Sequence, residues 1–116
     1  MSFNDIETRR IKNEVGEFIE RRRPPPHIRP KLDLGYRISG QSVEIVEIRP
    51  VWRGSPGETR SHGIAKATYV RRHDHWKVYW LRADLKWHPY PTAPRVDKLG
   101  QFLALVDEDK HHCFFG

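Results

Sequence analysis

The sequence predicts an α+β domain in which a four-stranded antiparallel sheet, made of two hairpins, carries an N-terminal and a C-terminal helix. Three observations lead there. Apolar residues recur at helical spacing near both ends of the chain. Between them, two stretches alternate polar and apolar residues about short turn-like segments. The length of 116 residues suits one hydrophobic core and not two.

The first helix is expected over residues 4–22. Asn4 and Glu7 have the spacing of a capping box. Ile11, Val15, Phe18 and Ile19 form one apolar stripe that leaves out Ile6. Arg21, Arg22 and Arg23 place cations at the negative end of the helix dipole. Pro24, Pro25 and Pro26 then forbid continuation, and with Pro30 they predict an extended, proline-rich strap over 23–31.

The sheet is expected over 32–88. Gly40-Gln41 fits a two-residue turn with glycine first, which pairs Ile38 with Val43, Arg37 with Glu44 and Tyr36 with Ile45. The facing opposite charges favour that register. After Ile45 the apolar phase shifts to Val46 and Ile48, so a bulge or two-sided burial is expected there. Arg53 to Gly63, rich in Gly, Pro and Ser, reads as a loop. Ile64–Arg71 and Trp76–Leu81 make the second hairpin, turning at Arg72-His73-Asp74-His75 and pairing Arg71 with Trp76. Ala65, Ala67, Tyr69, Trp76, Val78 and Trp80 then share a core face, with Trp80 largely buried opposite Ala67. Ile64, Lys66, Thr68, Val70, Arg72, His75, Lys77, Tyr79 and Leu81 share the other. Alternation continues to His88, too far for one strand, and a break is expected near Ala83.

A proline-punctuated loop follows. Val96, Leu99, Phe102, Leu103 and Val106 predict a second helix over 95–107. The tail, 108–116, holds Cys113-Phe114-Phe115, and two adjacent phenylalanines predict docking onto the body.

The formal net charge is +6, unevenly spread. Residues 60–88 hold seven Lys/Arg against two Asp/Glu, and residues 1–31 eight against five. Such a field draws anionic partners. No apolar run reaches the ~18 residues of a spanning helix, and the N-terminus lacks the layout of a secretion signal. Cys113 is the only cysteine, so no intrachain disulfide forms. A cytoplasmic, non-membrane protein is expected.

Several strings are more specific than composition. Asp33-Leu34-Gly35-Tyr36-Arg37-Ile38 is followed by Gly40-Gln41-Ser42-Val43-Glu44-Ile45 and Glu47-Ile48-Arg49-Pro50. Ala65-Lys66-Ala67-Thr68-Tyr69-Val70, Arg82-Ala83-Asp84-Leu85-Lys86-Trp87-His88, Val106-Asp107-Glu108-Asp109 and Cys113-Phe114-Phe115-Gly116 come later. Together they resemble the bacterial family known as domain of unknown function 3024, over essentially the whole chain from about Arg22. The resemblance implies a complete single-domain protein. The family has no assigned activity, so the resemblance carries over no catalytic or binding residue.

Function is therefore read from the residues, and a non-catalytic binding domain for nucleic acid is the leading expectation. Lys66, Arg72, His75, Lys77 and Tyr79 would line the second hairpin's polar face, with Arg21–Arg23 reaching the same ligand. Cations track phosphates while an aromatic ring stacks a base. Against this, a helix covering that face would leave the lysine stems packed on apolar surface. A protein–protein module is the alternative, since four tryptophans and a proline strap suit an interface as well as a core. A third reading is a metal-dependent nuclease, with Asp84-x-Lys86 on a strand and a second carboxylate from Glu44 or Glu47. Histidine metal binding would use His73 and His75 with His111, His112 and Cys113. No nucleophile triad and no glycine-rich phosphate loop stands out, and no cofactor is expected.

Overall fold

The structure is a computed structural model that describes residues 2–51 and 57–115. Helix α1 spans Asp5–Arg22. Asn4 caps it through the expected capping box, with the Glu7 amide donating to the Asn4 side chain at 2.8 Å and the Asn4 amide to Glu7 at 3.0 Å. Ile11, Val15, Phe18 and Ile19 are all buried, and Ile6 stands in solvent. The strap is not extended. Ile28 donates to the Pro25 carbonyl at 2.9 Å, and Lys31 and Leu32 donate to Ile28 at 2.8 and 3.0 Å, so 25–32 coils through successive turns. The fixed φ of proline serves the second position of a turn as well as an extended chain, and Pro26 occupies that position.

Strands β1 (Asp33–Ser39) and β2 (Ser42–Pro50) pair in the predicted register, Ile38 with Val43, Arg37 with Glu44 and Tyr36 with Ile45. Gly40 takes the positive φ (58°) that the turn requires. The predicted irregularity lies between Ile45 and Val46, where the pairing of β2 with β3 (Thr59–Val70) shifts register. Strand β3 starts at Thr59, inside the segment read as a loop. Its first residues are polar and exposed, so alternation does not announce them. Of the remaining residues read as a loop, 57–58 are outside any strand and 53–56 lie outside the described residues.

The second hairpin corrects the predicted pairing. A 3₁₀ turn over Arg71–His73, closed by left-handed Asp74 (φ 50°), joins β3 to β4 (His75–Leu81). Val70 therefore faces His75 and Tyr69 faces Trp76, two residues away from the expected register. Ala67 lies opposite Val78, and Ala65, not Ala67, opposite Trp80. Because a two-residue slip preserves parity, the face assignment survives from Ala65 onward, whereas Ile64, expected on the polar face, is buried in the core where the bulge shifts the β2–β3 register. Ala65, Ala67, Trp76 and Val78 are buried, whereas Trp80 is only half-buried, with the Arg82 guanidinium 5.5 Å from its ring centre.

The sheet also has more than four strands. The break near Ala83 is a tight turn, with Leu85 at φ 63° donating to the Arg82 carbonyl at 2.8 Å. It returns the chain as β5 (Trp87–Pro89) along β4. Two further residues, β6 (Arg95–Val96), pair with β4 beyond it, where helix had been expected. The strand order is β1-β2-β3-β4-β5, with β6 also on β4. Helix α2 is Leu99–Glu108, and Gln101 accepts the Asp97 and Lys98 amides at 2.9 Å at its start.

The two helices and one face of the sheet share a core that includes Phe18, Ile45, Val78, Phe102 and Val106. The tail docks as expected. Buried Asp109, left-handed at φ 42°, accepts the Phe114 and Phe115 amides at 3.0 and 2.9 Å, and Phe114 packs on Tyr90.

Candidate nucleic-acid interface

Alternation along β3 and β4 sends Ala65, Ala67, Trp76 and Val78 under the helices and Lys66, Thr68, Lys77 and Tyr79 to the opposite face. Both helices join the core on the first face. The second is not covered by either of them, and Lys77 is exposed while Lys66, Thr68 and Tyr79 are half-buried.

A groove of about 1170 Å³ runs over this face from the β3–β4 connection towards β6. Arg72, His75, Lys77 and Tyr79 line it, four of the five residues expected from sequence, and His73 and Arg95 join them. No carboxylate lines it among the described residues. Lys77 and Arg95 are cross-strand partners of like charge, an arrangement that is unfavourable alone and relieved by a bound anion. Among the described residues neither has a carboxylate within ion-pair distance, nor has Arg72. His73 and His75 stack with ring centres 5.6 Å apart and planes within 9°.

Lys66, the fifth expected residue, is placed differently. Its Nζ lies 5.0 Å from the centroids of both Tyr79 and Trp87, held between two rings beside the groove. Trp87 reaches this position because residue 63 is glycine: a Cβ there would come within 2.7 Å of the indole. Trp87 was not among the sequence candidates, although the alternation from Arg82 to His88 pointed to its face.

The arginine cluster closing α1 does not join this surface. Arg23 makes a double contact to Asp33 on β1, at 2.9 and 2.7 Å, and Arg22 pairs with Asp107 at 3.3 Å. Arg23's guanidinium holds the Asp33 carboxyl below the usual range, although partial burial opposes it. These arginines tie α1 to β1 and α2 on the helix-bearing side. Arg71 lines the groove but is paired to Glu7 at 3.0 Å through both nitrogens, which lowers the Glu7 pKa and raises that of Arg71.

The nuclease arrangement does not assemble. Asp84 sits in the β4–β5 turn, not on a strand, where it accepts the Lys86 amide at 3.0 Å and contacts His88 Nε2 at 2.8 Å. These contacts, His88 foremost, lower its pKa. Glu44 is paired with Arg37 and Glu47 with Arg49. Among the described residues no three His, Cys, Asp or Glu side chains converge as a metal-ligand set. Burial raises the Cys113 pKa, which disfavours the reactive thiolate. No helix among the described residues is long and apolar enough to cross a membrane.

The family model for Domain of unknown function (DUF3024) matches residues 3–116. The chain belongs to this family. The match takes in α1 as well as the sheet, and so extends the resemblance seen from Arg22 onward. Comparison with the curated proteins and with the solved structures found no match.

Proposed function

We propose that this DUF3024 protein is a non-catalytic nucleic-acid-binding domain of the cytoplasm that uses the uncovered face of its sheet. One observation carries the reading: the groove bounded by Arg72, Lys77 and Arg95 is lined by cations, histidines and an aromatic ring, with no carboxylate among the described residues. Outside the groove Arg22, Arg23, Arg37 and Arg49 are each paired with a carboxylate. Unpaired cations gathered in one groove favour a polyanion, whose counterions are released on contact. Tyr79 beside them supplies a π face for a base.

Labelled oligonucleotides and fluorescence anisotropy at two salt concentrations test this. Binding is expected at low salt, weakening steeply as salt rises. Reversing Arg72 and Lys77 to Glu is expected to weaken it and to flatten the salt dependence. Absence of binding at low salt ends the reading and moves the protein-partner module to the front.

A further inference from the structure

The groove is not uniformly cationic. Its lining holds Arg72, Lys77 and Arg95 together with apolar surface from Val70, Tyr79 and Pro94. We infer that the strand it takes is single, an inference that rests on the nucleic-acid reading above. A duplex keeps its bases stacked inside and offers phosphates outward, so the apolar part of the lining gains nothing from it. A single strand offers both, with phosphates for the cations and base faces for the apolar part of the lining.

The shape of the sheet points the same way. Reading a duplex groove takes a projecting helix or a free two-stranded ribbon. Here α1 and α2 pack on the other face. The β3–β4 hairpin is not a free ribbon either. Thr68 on β3 is paired to Ser42 on β2, and Trp76 and Lys77 on β4 are paired to Val96 and Arg95 on β6. What remains is a broad surface on which Tyr79 lines the groove and is braced by Lys66, with Trp87 on the far side of that ammonium. The parallel His73 and His75 rings lie at its far end.

The test compares a labelled oligo-dT with a hairpin duplex carrying the same number of phosphates, against wild type, Tyr79→Leu and Tyr79→Phe. Oligo-dT is expected to bind about tenfold or more tighter than the duplex. Tyr79→Leu keeps an apolar side chain but loses the ring. It should weaken oligo-dT binding about tenfold at both salt concentrations, leaving the salt slope and duplex binding unchanged. Tyr79→Phe should restore wild-type affinity and melt with wild type, and Tyr79→Leu should stay folded with a melt lowered only by the loss of the Lys66 cation–π contact. Duplex bound as tightly as oligo-dT, or oligo-dT affinity unmoved by Tyr79→Leu, overturns the single-strand inference while nucleic-acid binding stands. Failure of both probes to bind wild-type protein overturns the two together.

Discussion

The two faces of the sheet are built from the same strands, and often from adjacent residues, yet they do opposite work. On the helix-bearing face Ala65, Ala67 and Val78 have no exposure at all, and α1 and α2 close over them. On the other face Lys77, one position away from two core residues, is exposed, and Lys66 and Tyr79 are half-buried. Small alanines let the helices approach, and long cationic side chains would have kept them off. The pattern that builds the core thus keeps both helices on the first face and off the second.

The sharpest way to break this comparison is to move a charge from one face to the other. Ala67→Lys buries an ammonium beneath the helices with no partner and should cost ~3–5 kcal/mol, enough to unfold much of the protein at 37 °C. Thr68→Lys, its neighbour on the open face, should change stability by ~0.5 kcal/mol or less. Urea denaturation monitored by tryptophan fluorescence measures both. Equal costs would mean that the faces are not distinct. Deleting residues 1–23 belongs to the same class. It removes the Ile11, Val15, Phe18 and Ile19 stripe and should give aggregation or loss of the cooperative melt.

Trp80 probes the rim of the covered face. It is half-buried and stands opposite Ala65, so Trp80→Ala should cost ~1–3 kcal/mol, below the ~3–5 kcal/mol of a fully buried tryptophan. A loss at the upper figure would place the helices over β4 farther along than the core residues indicate.

These differences follow what the sequence can and cannot display. Helix α1, its stripe and its cap are local, and were legible in Asn4, Glu7, Ile11 and Phe18. So was the first hairpin, where Gly40 and the Arg37–Glu44 pair fix the register. The second hairpin was legible only in parity. The 3₁₀ turn and left-handed Asp74 set its register, and a run of Arg, Arg and His does not declare that geometry. Thr59 to Gly63, Trp87 to Pro89 and Arg95-Val96 are strands because neighbours offer them free edges, not because they alternate strongly. Lys66, Arg72, His75, Lys77 and Tyr79 could be placed on one face by alternation alone. Arg95 could not, because its place beside Lys77 depends on how the chain returns after β5.

Acid should loosen the covered face before the open one. Glu7, through Arg71, ties the start of α1 to the β3–β4 connection, and Asp33, through Arg23, ties its end to β1. Both carboxyls have folded-state pKa values below their ordinary ones, held there chiefly by the arginine contacts. Such groups contribute stability above their unfolded pKa, and that contribution is lost as pH falls through the depressed folded pKa, below the ordinary carboxylate range. The melting temperature should therefore drop from pH 5 to pH 3, and Glu7→Gln/Asp33→Asn should be less stable at pH 7 with a flatter acid limb. An unchanged acid limb would remove these ties from the account of α1 docking.

The smallest effect on stability is expected where the functional effect is largest. Arg72 and Lys77 are exposed, have no carboxylate partner among the described residues and face the groove. Reversing both to Glu should leave the melt within ~0.5 kcal/mol per substitution, and relief of the Lys77–Arg95 repulsion could make Lys77→Glu mildly stabilising. Lys66 is the wrong residue for this purpose. It pairs across the sheet with Glu44 and sits between two rings, so Lys66→Glu would set two carboxylates side by side and lose both cation–π contacts. Comparing Arg72→Glu/Lys77→Glu with Lys66→Glu in one set of thermal melts separates groove residues from scaffold residues. If the double variant is the less stable of the two, the groove cations help to hold the fold together, and their exposure is no argument for a ligand.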